Sequence, residues 1–349
     1  MSEARSTALA ALAAYGAEDR VRAGFELHAP DGVPGRVERV DRIRALVATG
    51  SGTVSATAEP LPVVGDWVAL EGETDRARVV AVLPRWSELS RRASGPLPEP
   101  EVVAANVDLV LAVSPLDRPL SPNRIERELV IGWESGARPV VVLNKADISI
   151  ATDDEIAALR DRLALVDVLV VSARTGEGVD ALAELLHPSR TAVLLGASGA
   201  GKSSLVNALA GDEVAVTGDV RATDSRGRHT TTYRTLIPVP GGGVLLDTPG
   251  IRSIGLWDAE EGIAKTFPEI DELAAGCKFR DCSHEDEPVC AVTAAVAAGE
   301  LDPDRYDSWL KLQRELAYEA RAVDPALQAE HRRRWKAIHK SLKDHPELQ

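Results

Sequence analysis

The sequence predicts a multidomain protein made of a small β-barrel, a phosphate-loop α/β domain and a C-terminal, mostly helical, metal-binding domain. Three observations carry this prediction. Short β-branched segments separated by turn residues fill residues 35–92. An apolar strand, a glycine-rich loop and a helix follow one another around residue 200. All three cysteines lie between residues 277 and 290, together with a histidine.

Length and composition set the limits of this prediction. A chain of 349 residues with 44% hydrophobic residues is long enough for two or three domains with proper cores. The formal net charge of −14 argues against a protein that coats nucleic acid non-specifically, although a local basic face remains compatible with it. No run of roughly eighteen apolar residues and no basic leader occurs, so we expect no membrane partner and no signal peptide. Three cysteines cannot all form disulfides with one another, which favours a protein of the reducing cytoplasm. We also expect a monomer.

The first two segments are an N-terminal extension and the barrel. Residues 1–34 predict a short alanine-rich helix followed by a connection that contains proline and glycine. Residues 35–93 predict five short strands, at 36–40, 43–48, 53–57, 67–70 and 79–83. Such a barrel fits an oligonucleotide-binding (OB) fold, and an SH3-like barrel fits the pattern nearly as well.

The α/β domain, residues 94–258, begins with a proline-rich linker at 94–100. A continuous apolar strand at 106–113, a helix at 121–134 with a serine cap and a proline in its first turn, and a buried strand at 139–143 predict a parallel βαβ unit. Helices are predicted at 153–163 and 179–186, a strand at 168–171, and a hairpin of strands at 236–239 and 244–246. Residues 259–349 form the mostly helical last domain, which ends on a basic helix.

The glycine-rich loop matches the phosphate-loop pattern G-x-x-x-x-G-K-[ST] between a strand and a helix, the context in which this pattern is credible. Its backbone N–H groups and the helix N-terminus would bind phosphate oxygens. Lys202 would reach the β- and γ-phosphates, and the Ser203 hydroxyl would bind Mg²⁺. The loop residues are Gly196, Ala197, Ser198, Gly199, Ala200, Gly201, Lys202 and Ser203, with Ser204 next in the helix.

Further motifs identify the base as guanine. The carboxylate of Asp147, in the run Asn144, Lys145, Ala146, Asp147, can accept hydrogen bonds from both N1–H and the 2-amino group of guanine, whereas adenine would leave it unpaired. Ser172 and Ala173 follow another strand and would place a backbone N–H on the guanine O6. Asp247 and Gly250 match D-x-x-G, the second Mg²⁺-site aspartate and the γ-phosphate glycine. Together these motifs predict a GTPase.

The order of the motifs is permuted. In a conventional GTPase the phosphate loop precedes the guanine motifs, whereas here the guanine motifs at 144–147 and 172–173 come first and D-x-x-G comes last. The sequence therefore predicts a circularly permuted P-loop GTPase domain. The segment that senses the γ-phosphate then runs directly into the C-terminal domain.

The cysteines and one histidine have the spacing C-x₄-C-x-H-x₅-C. Three thiolates and an imidazole are the complement of a closed, tetrahedral structural zinc site. The predicted ligands of one Zn²⁺ are Cys277, Cys282, His284 and Cys290.

The permuted motifs, the preceding barrel and the cysteine cluster resemble the ribosome small subunit-dependent GTPase A (RsgA/YjeQ) family, as do the runs at 227–232 (GRHTTT) and 279–282 (FRDC). The resemblance covers about residues 36–320 and implies an OB fold for the barrel. It implies a cytoplasmic assembly factor that binds the immature small ribosomal subunit and its rRNA, hydrolyses GTP to GDP and phosphate when the subunit stimulates it, and then leaves. The N-terminal extension and the acidic net charge depart from the common pattern.

Turnover needs a group that orients water, and Ile251 stands where Ras-type enzymes have a glutamine. We expect His229 to hold the water and Thr231 to ligate Mg²⁺ with Ser203, while Lys202 contacts the phosphates. The leading alternative is a regulatory module whose nucleotide state switches partner affinity with little turnover. Basic residues that could face rRNA are Arg85, Arg91, Arg92, Arg221, Arg226, Arg228, Arg234, Arg332, Arg333, Arg334, Lys336, Lys340 and Lys343, beside Trp335.

Overall fold

The computed structural model describes residues 3–29, 31–72, 76–92, 100–163, 165–186, 189–211, 235–247, 256, 259–285 and 287–323. The run with His229 and Thr231, Gly250, Ile251, the linker at 94–99 and the final basic helix lie outside these residues. The chain divides into two compact units, one of residues 1–89 and 102–252 and one of residues 90–101 and 253–349. Within the described ranges, no helix has the length and apolar character that crossing a membrane requires.

The N-terminal extension contains α1 (Glu3–Ala11) and α2 (Asp19–His28), joined through a 3-10 turn. The sequence predicted only the first of these helices. The apolar face of α2 is narrow, since Val21 and Phe25 are its buried residues. A Cβ at Gly24 would lie 3.3 Å from the Leu83 side chain, so the glycine lets α2 approach the barrel closely. Tertiary packing rather than helical pattern therefore explains α2.

The barrel strands are β1 (Val33–Val40), β2 (Ala45–Thr49), β3 (Gly52–Ala56), β4 (Trp67–Glu71) and β5 (Arg78–Val82). They form an antiparallel sheet in the order β3-β2-β1-β4-β5. This confirms the five predicted strands with small differences at their ends. A parallel bridge also joins Thr57, just after β3, to Arg78 at the start of β5.

Strand β4 is buried on both faces. Val68 and Leu70 pack inside the barrel with Val37 and Val47. The alternate residue, Trp67, packs with the N-terminal helices. Because successive strand residues point to opposite faces, one strand serves two cores and reads as a continuous apolar run.

Two strands follow that the sequence did not predict, β6 (Glu88–Arg92) and β7 (Pro100–Ala105), and they form a two-stranded sheet. Proline is tolerated at the first position of β7 because no ladder hydrogen bond is lost there. The next strand begins at Leu109 rather than at residue 106, since Asn106 has a left-handed backbone with φ +58°.

The α/β elements are β8 (Leu109–Pro115), α3 (Pro122–Glu134), β9 (Arg138–Asn144), α4 (Asp153–Arg162), β10 (Val168–Val170), α5 (Val179–Leu186), β11 (Thr191–Gly196), α6 (Lys202–Ala210), β12 (Thr235–Pro238) and β13 (Val244–Asp247). The sheet order is β10-β9-β8-β11-β13-β12. Every neighbouring pair is parallel except the β12–β13 hairpin. The predicted parallel βαβ unit and hairpin are confirmed.

Helices cover both faces of this sheet. On one face, α3 and α4 pack through Ile125, Leu129 and Leu159 against β8 and β9. On the other, α5 and α6 contribute Leu182 and Leu205. The predicted serine cap of α3 is wrong in detail: Ser121 is the N-cap residue but its side chain makes no capping hydrogen bond, whereas Pro122 does begin the helix.

The barrel and the α/β sheet lie in the same compact unit, and buried Arg36 of β1 connects them. Its side chain, 1% exposed, donates to the Asn106 carbonyl at 3.2 Å and to the Thr191 hydroxyl at 2.8 Å. Asp108 accepts from the backbone N–H of Thr191 at 2.8 Å and from Arg20 of α2. These contacts fix the start of β11, the strand that leads into the glycine-rich loop.

The second unit contains α7 (Glu260–Thr266), α8 (Pro268–Ala274), α9 (Ala291–Ala298) and α10 (Pro303–Val323). Arg305 is buried and ties α10 to α8, with its Nε 2.5 Å from a carboxylate oxygen of Glu269 and its guanidinium 4.2 Å from the Phe267 ring. The C-terminal region is helical around the cysteine segment, as predicted.

Candidate nucleotide-binding site and metal centre

The glycine-rich loop leaves the carboxyl end of central strand β11 and enters α6. Gly196 and Gly201 both have left-handed backbones, with φ +141° and +90°. A Cβ at Gly196 would lie 2.3 Å from the Val113 carbonyl oxygen, and one at Gly201 would lie 2.2 Å from Nδ2 of Asn144. Both positions therefore require glycine, because the backbone is left-handed and a Cβ atom would collide with a neighbouring atom.

Asn144 links three of the sequence motifs. Its side chain, 1% exposed, donates from Nδ2 to the carbonyl of Ala200 at 2.9 Å and accepts at Oδ1 from the backbone N–H of Ala173 at 3.1 Å. Asn144, at the end of β9, thus contacts residues that lie 56 and 29 positions further along the sequence. The amide holds the phosphate-loop segment and the Ser172–Ala173 segment at fixed positions.

Asp147 lies beside Ser172 and keeps one carboxylate oxygen without a hydrogen bond. Oδ1 accepts from the Ser172 hydroxyl at 2.6 Å. Oδ2 is buried and has no hydrogen-bond partner within the described residues; Nε of Arg174 is 3.6 Å away. Buried polar atoms are normally hydrogen-bonded, so Oδ2, which has Arg174 only at ion-pair distance, can still accept a hydrogen bond from a ligand.

Lys202 folds back onto the loop. Its Nζ donates to the carbonyls of Gly196 and Ala197, both at 2.8 Å. Ser203 and Ser204 stand in the first turn of α6, where N–H groups point away from the helix without intrahelical acceptors. An ammonium beside the N-terminus of a helix is the kind of arrangement that binds anions.

The D-x-x-G motif begins next to this loop. Asp247 ends β13, and β13 runs parallel to β11 with Leu246 paired to Val193. The backbone of Asp247 therefore lies at the same edge of the sheet as Gly196. Its partners in the predicted Mg²⁺ and hydrolysis machinery, Gly250, Thr231 and His229, fall outside the described residues.

The structure also brings in two residues that the sequence reasoning missed. Asp117, which follows β8, accepts from Nζ of Lys145 at 2.6 Å. Arg118 bonds the same carboxylate through Nε at 3.2 Å. The available signal was their position directly after a buried parallel strand, at the sheet edge where such folds bind ligands.

The three cysteines and His284 come together in the second unit, with their ligand atoms within 4.8 Å of one another. Nδ1 of His284 lies 3.5 Å from Sγ of Cys277 and 3.4 Å from Sγ of Cys290. Sγ of Cys277 and Cys290 are 3.9 Å apart. Ligands at tetrahedral zinc distances are separated by about 3.5–3.8 Å, so the donor set and its spacing fit Zn²⁺.

Neighbouring groups hold this cluster in shape. The Tyr306 hydroxyl donates to the carbonyl of His284 at 2.5 Å, and the Trp309 ring lies 5.6 Å from the imidazole. The backbone N–H of Thr293 donates to Sγ of Cys290 at 3.5 Å. Burial raises the pKa of Cys290, but the Thr293 and His284 contacts outweigh it and bring the pKa to about 6. The thiolate, which is the metal-binding form, is thereby favoured.

Two of the predicted rRNA-facing arginines have partners inside the protein. Arg85 donates to both oxygens of the Asp66 carboxylate, at 2.7 and 2.8 Å. Arg91 pairs with Glu101 at 3.0 Å. Buried ion pairing accounts for Arg85, whose carboxylate partner is fully buried. The basic residues at 221–234 and 332–343 lie outside the described part of the chain.

Comparison with known proteins agrees with this geometry. A family model described as RsgA GTPase matches residues 82–257. The small ribosomal subunit biogenesis GTPase RsgA of Streptomyces avermitilis is 46% identical over 342 residues, which cover 93% of this chain and 91% of that protein. The protein of the same name from Opitutus terrae is 46% identical over 308 residues, covering 84% of each.

Solved structures show the same architecture. YjeQ from Thermotoga maritima superposes with a TM-score of 0.61 at 29% identity, covering 81% of this chain and 98% of that one. YloQ, a circularly permuted GTPase, superposes with a TM-score of 0.58 at 27% identity, covering 82% and 95%. The chain therefore has a YjeQ-like circularly permuted GTPase fold, with a sheet-rich N-terminal part, a mixed α/β sheet and a helical C-terminal region that carries the Cys/His cluster. The chain belongs to the RsgA GTPase family.

Proposed function

We propose that this chain binds the small ribosomal subunit late in its maturation and hydrolyses GTP to GDP and phosphate when the subunit stimulates it. The family consists of GTPases, and relatives of nearly full length are named for small ribosomal subunit biogenesis. The observation that carries the proposal is the joining of Ala200, Asn144 and Ala173 by one buried amide. That arrangement holds the phosphate and base motifs at one sheet edge.

Guanine would be selected by Asp147. Its Oδ2, which accepts no hydrogen bond within the described residues, and its Ser172-bonded Oδ1 can accept the N1–H and 2-amino donors. Adenine offers neither donor in that position, so the buried carboxylate would stay unpaired. Ala173 would present its N–H to the guanine O6 only if its bond to Asn144 is shared or released, and Lys145 would lie along the base.

The phosphates would replace the carbonyls that now accept from Lys202. Gly196, Ala197, Ser198, Gly199, Ala200, Gly201, Ser203 and Ser204 supply the surrounding loop and helix start. Mg²⁺ would be held by Ser203 and Thr231, with Asp247 beside it and Gly250 at the γ-phosphate, and it would neutralise developing phosphate charge. His229 would orient the attacking water, because Ile251 has no hydrogen-bonding group.

One structural Zn²⁺ would be bound by Cys277, Cys282, His284 and Cys290. The distances among the donor atoms of Cys277, His284 and Cys290 are close to those of a tetrahedral site, Cys282 belongs to the same group, and protein groups would fill all four positions. A closed site of this kind stabilises the fold and leaves no open position for catalysis.

The barrel would act as an OB fold that contacts rRNA. Strand β1 lies between β2 and β4, so three hairpin-connected strands are followed by a fourth beside the first, which is a Greek-key arrangement. The parallel bridge between Thr57 and Arg78 brings β3 and β5 towards closure. A five-stranded Greek-key barrel is the pattern of the OB fold. A cytoplasmic monomer fits this role.

The test measures GTP turnover alone, with purified small subunits and with large subunits as the matched control. We expect turnover to rise by at least about tenfold with small subunits only. Co-sedimentation with a non-hydrolysable GTP analogue should show the same preference. Binding without stimulated turnover would instead support a regulatory module that switches partner affinity.

A further inference from the structure

The carboxylate of Asp117 lies between two cations next to the phosphate loop. Oδ2 accepts from Nζ of Lys145 at 2.6 Å, and Oδ1 accepts from Nε of Arg118 at 3.2 Å. The hydrogen bond from Lys145 is the main cause that lowers the pKa of Asp117, so the group is ionised at neutral pH. Asp117 and Lys145 are each only 25% exposed.

The backbone holds this pair in register. The N–H of Leu116 donates to the carbonyl of Asn144 at 2.8 Å, and the N–H of Ile150 donates to the carbonyl of Leu116 at 2.8 Å. Lys145 itself has a left-handed backbone with φ +69°. Asp117 and Lys145 each directly follow one of the two residues, Leu116 and Asn144, that share a backbone hydrogen bond. Their backbones are therefore fixed relative to each other, unlike those of a chance surface ion pair between mobile side chains.

The stem of Lys145 runs beside the phosphate loop. A Cβ at Gly201 would lie 3.9 Å from Cε of Lys145, and one at Gly199 would lie 3.4 Å from Nη2 of Arg118. The end of the Lys145 stem is therefore close to Gly201 of the loop, while its Nζ contacts the Asp117 carboxylate. Asn144, the residue before Lys145 in the base-reading motif, approaches the same glycine, with its Nδ2 2.2 Å from that Cβ position.

We propose that Asp117 is a positioning residue for the guanine nucleotide, which acts by holding Lys145 extended. This inference rests on the proposed nucleotide site. With Nζ anchored on Asp117, the lysine stem forms a fixed wall next to the phosphate loop against which the nucleoside packs. Without the carboxylate, the ammonium of Lys145 has Arg118 as a like-charged neighbour and the stem loses its fixed direction.

The experiment is a double-mutant cycle of Asp117→Asn and Lys145→Met, read as the Kd of a fluorescently labelled GDP. Methionine keeps an apolar stem but has no ammonium to anchor. We expect Asp117→Asn alone to weaken GDP about tenfold, as loss of a charged hydrogen bond predicts. In the Lys145→Met background the same change should weaken GDP by less than about twofold.

The matched control is Asp167→Asn, which breaks an exposed ion pair with Arg138 on the same sheet and should leave the Kd unchanged. Melting temperatures of all variants identify any general loss of stability. An unchanged Kd for Asp117→Asn, or an equal loss in both backgrounds, overturns the positioning role while the nucleotide site stands. If the wild-type chain itself does not bind labelled GDP, the proposed nucleotide site is wrong and the role of Asp117 fails with it.

Discussion

The nucleotide site and the Cys/His cluster are organised in opposite ways. In the first unit, buried strands on both sides of β11 position the loop, and the buried Asn144 amide joins its segments. In the second, the ligands lie on a short irregular segment in which His284 and Val289 have left-handed backbones, with φ +59° and +64°. Of the four predicted ligands, only Cys290 is buried. The surrounding fold therefore positions the predicted nucleotide-binding residues, whereas we expect the Cys/His segment to depend on Zn²⁺ for part of its own stability.

The largest expected effect concerns the Cys/His cluster. We predict that Cys282→Ser loses Zn²⁺ and loosens or unfolds the chain from about residue 265 onward, because structural zinc supplies local folding free energy. Elemental analysis should show zinc reduced to about a tenth of wild type or less. Labelled-GDP affinity should stay within about twofold, since the phosphate loop belongs to the other compact unit.

Limited proteolysis locates the loosened residues and separates local from global unfolding. A Cys282→Ser protein with full zinc content would show that the ligand set is wrong. One that loses nucleotide binding together with zinc would show that the two sites do not fold independently.

The next largest effect concerns the predicted nucleotide site. Asp147→Asn should lower GTP affinity by about 10³-fold, because the amide replaces an acceptor that guanine donors need. The same variant should gain affinity for xanthosine triphosphate, whose 2-oxo group needs a donor. Competition binding measures both. Asp153→Asn, in the exposed first turn of α4, is the matched control, and an unchanged GTP preference would remove Asp147 from base reading.

A third prediction separates binding from hydrolysis within the first unit. His229→Ala should keep GTP affinity and lose about 10²-fold in subunit-stimulated turnover, as expected for loss of a group that orients water. Phosphate release with small subunits measures it, with His28→Ala in α2 as control. A variant stimulated as strongly as wild type would mean that the water is positioned by another group, including the RNA.

Local pattern predicted most elements of the fold because each carries its own signal. The strand at 67–70 was recognised from an apolar run, and α5 was predicted with the bounds that the structure has, Val179–Leu186. Helix α2 was missed because its two buried residues make too short a stripe, and β7 because its initial proline resembled a linker. Those two elements depend on packing partners that the local sequence does not reveal.

For the candidate site, the sequence did not reveal the contacts between segments that are far apart in the chain. Asn144 was recognised from its motif, but nothing local indicates that its amide joins Ala200 to Ala173. Asp117 was missed because its partner Lys145 is 28 residues away. The ion pair of Arg85 with Asp66, 19 residues earlier, was not predicted because the burial of Asp66 was not recognised. A charge near a motif is informative only once its neighbours are known.

The smallest expected effect lies inside the first unit, on two buried glutamates of α3. Glu126 is paired with Arg162, with Nε 2.6 Å from Oε1. Glu128 is 7% exposed, and burial raises its pKa from 4.5 to about 7 although Arg124, Lys202 and Arg127 act against the shift. Between pH 4.5 and about 7, the Glu128 carboxyl group is ionised in the unfolded chain but protonated in the folded chain. Stability from this group is therefore present below pH 4.5 and lost as the pH rises through about 7.

We therefore predict that Glu128→Gln, which stays neutral, raises the free energy of unfolding by about 1–3 kcal/mol at pH 8 and changes it little at pH 4.5. Urea unfolding of wild type and variant at both pH values measures the difference. Glu126→Gln is the control and should destabilise at pH 8, since it leaves the Arg162 guanidinium without its anion. A Glu128→Gln variant that is less stable than wild type at pH 8 would mean that the attraction of the ionised carboxylate to Arg124, Lys202 and Arg127 outweighs the cost of its burial, so that the pKa of Glu128 is not raised. In that case this helix is stabilised by charges that include the phosphate-loop lysine, and its stability would depend on the predicted nucleotide site.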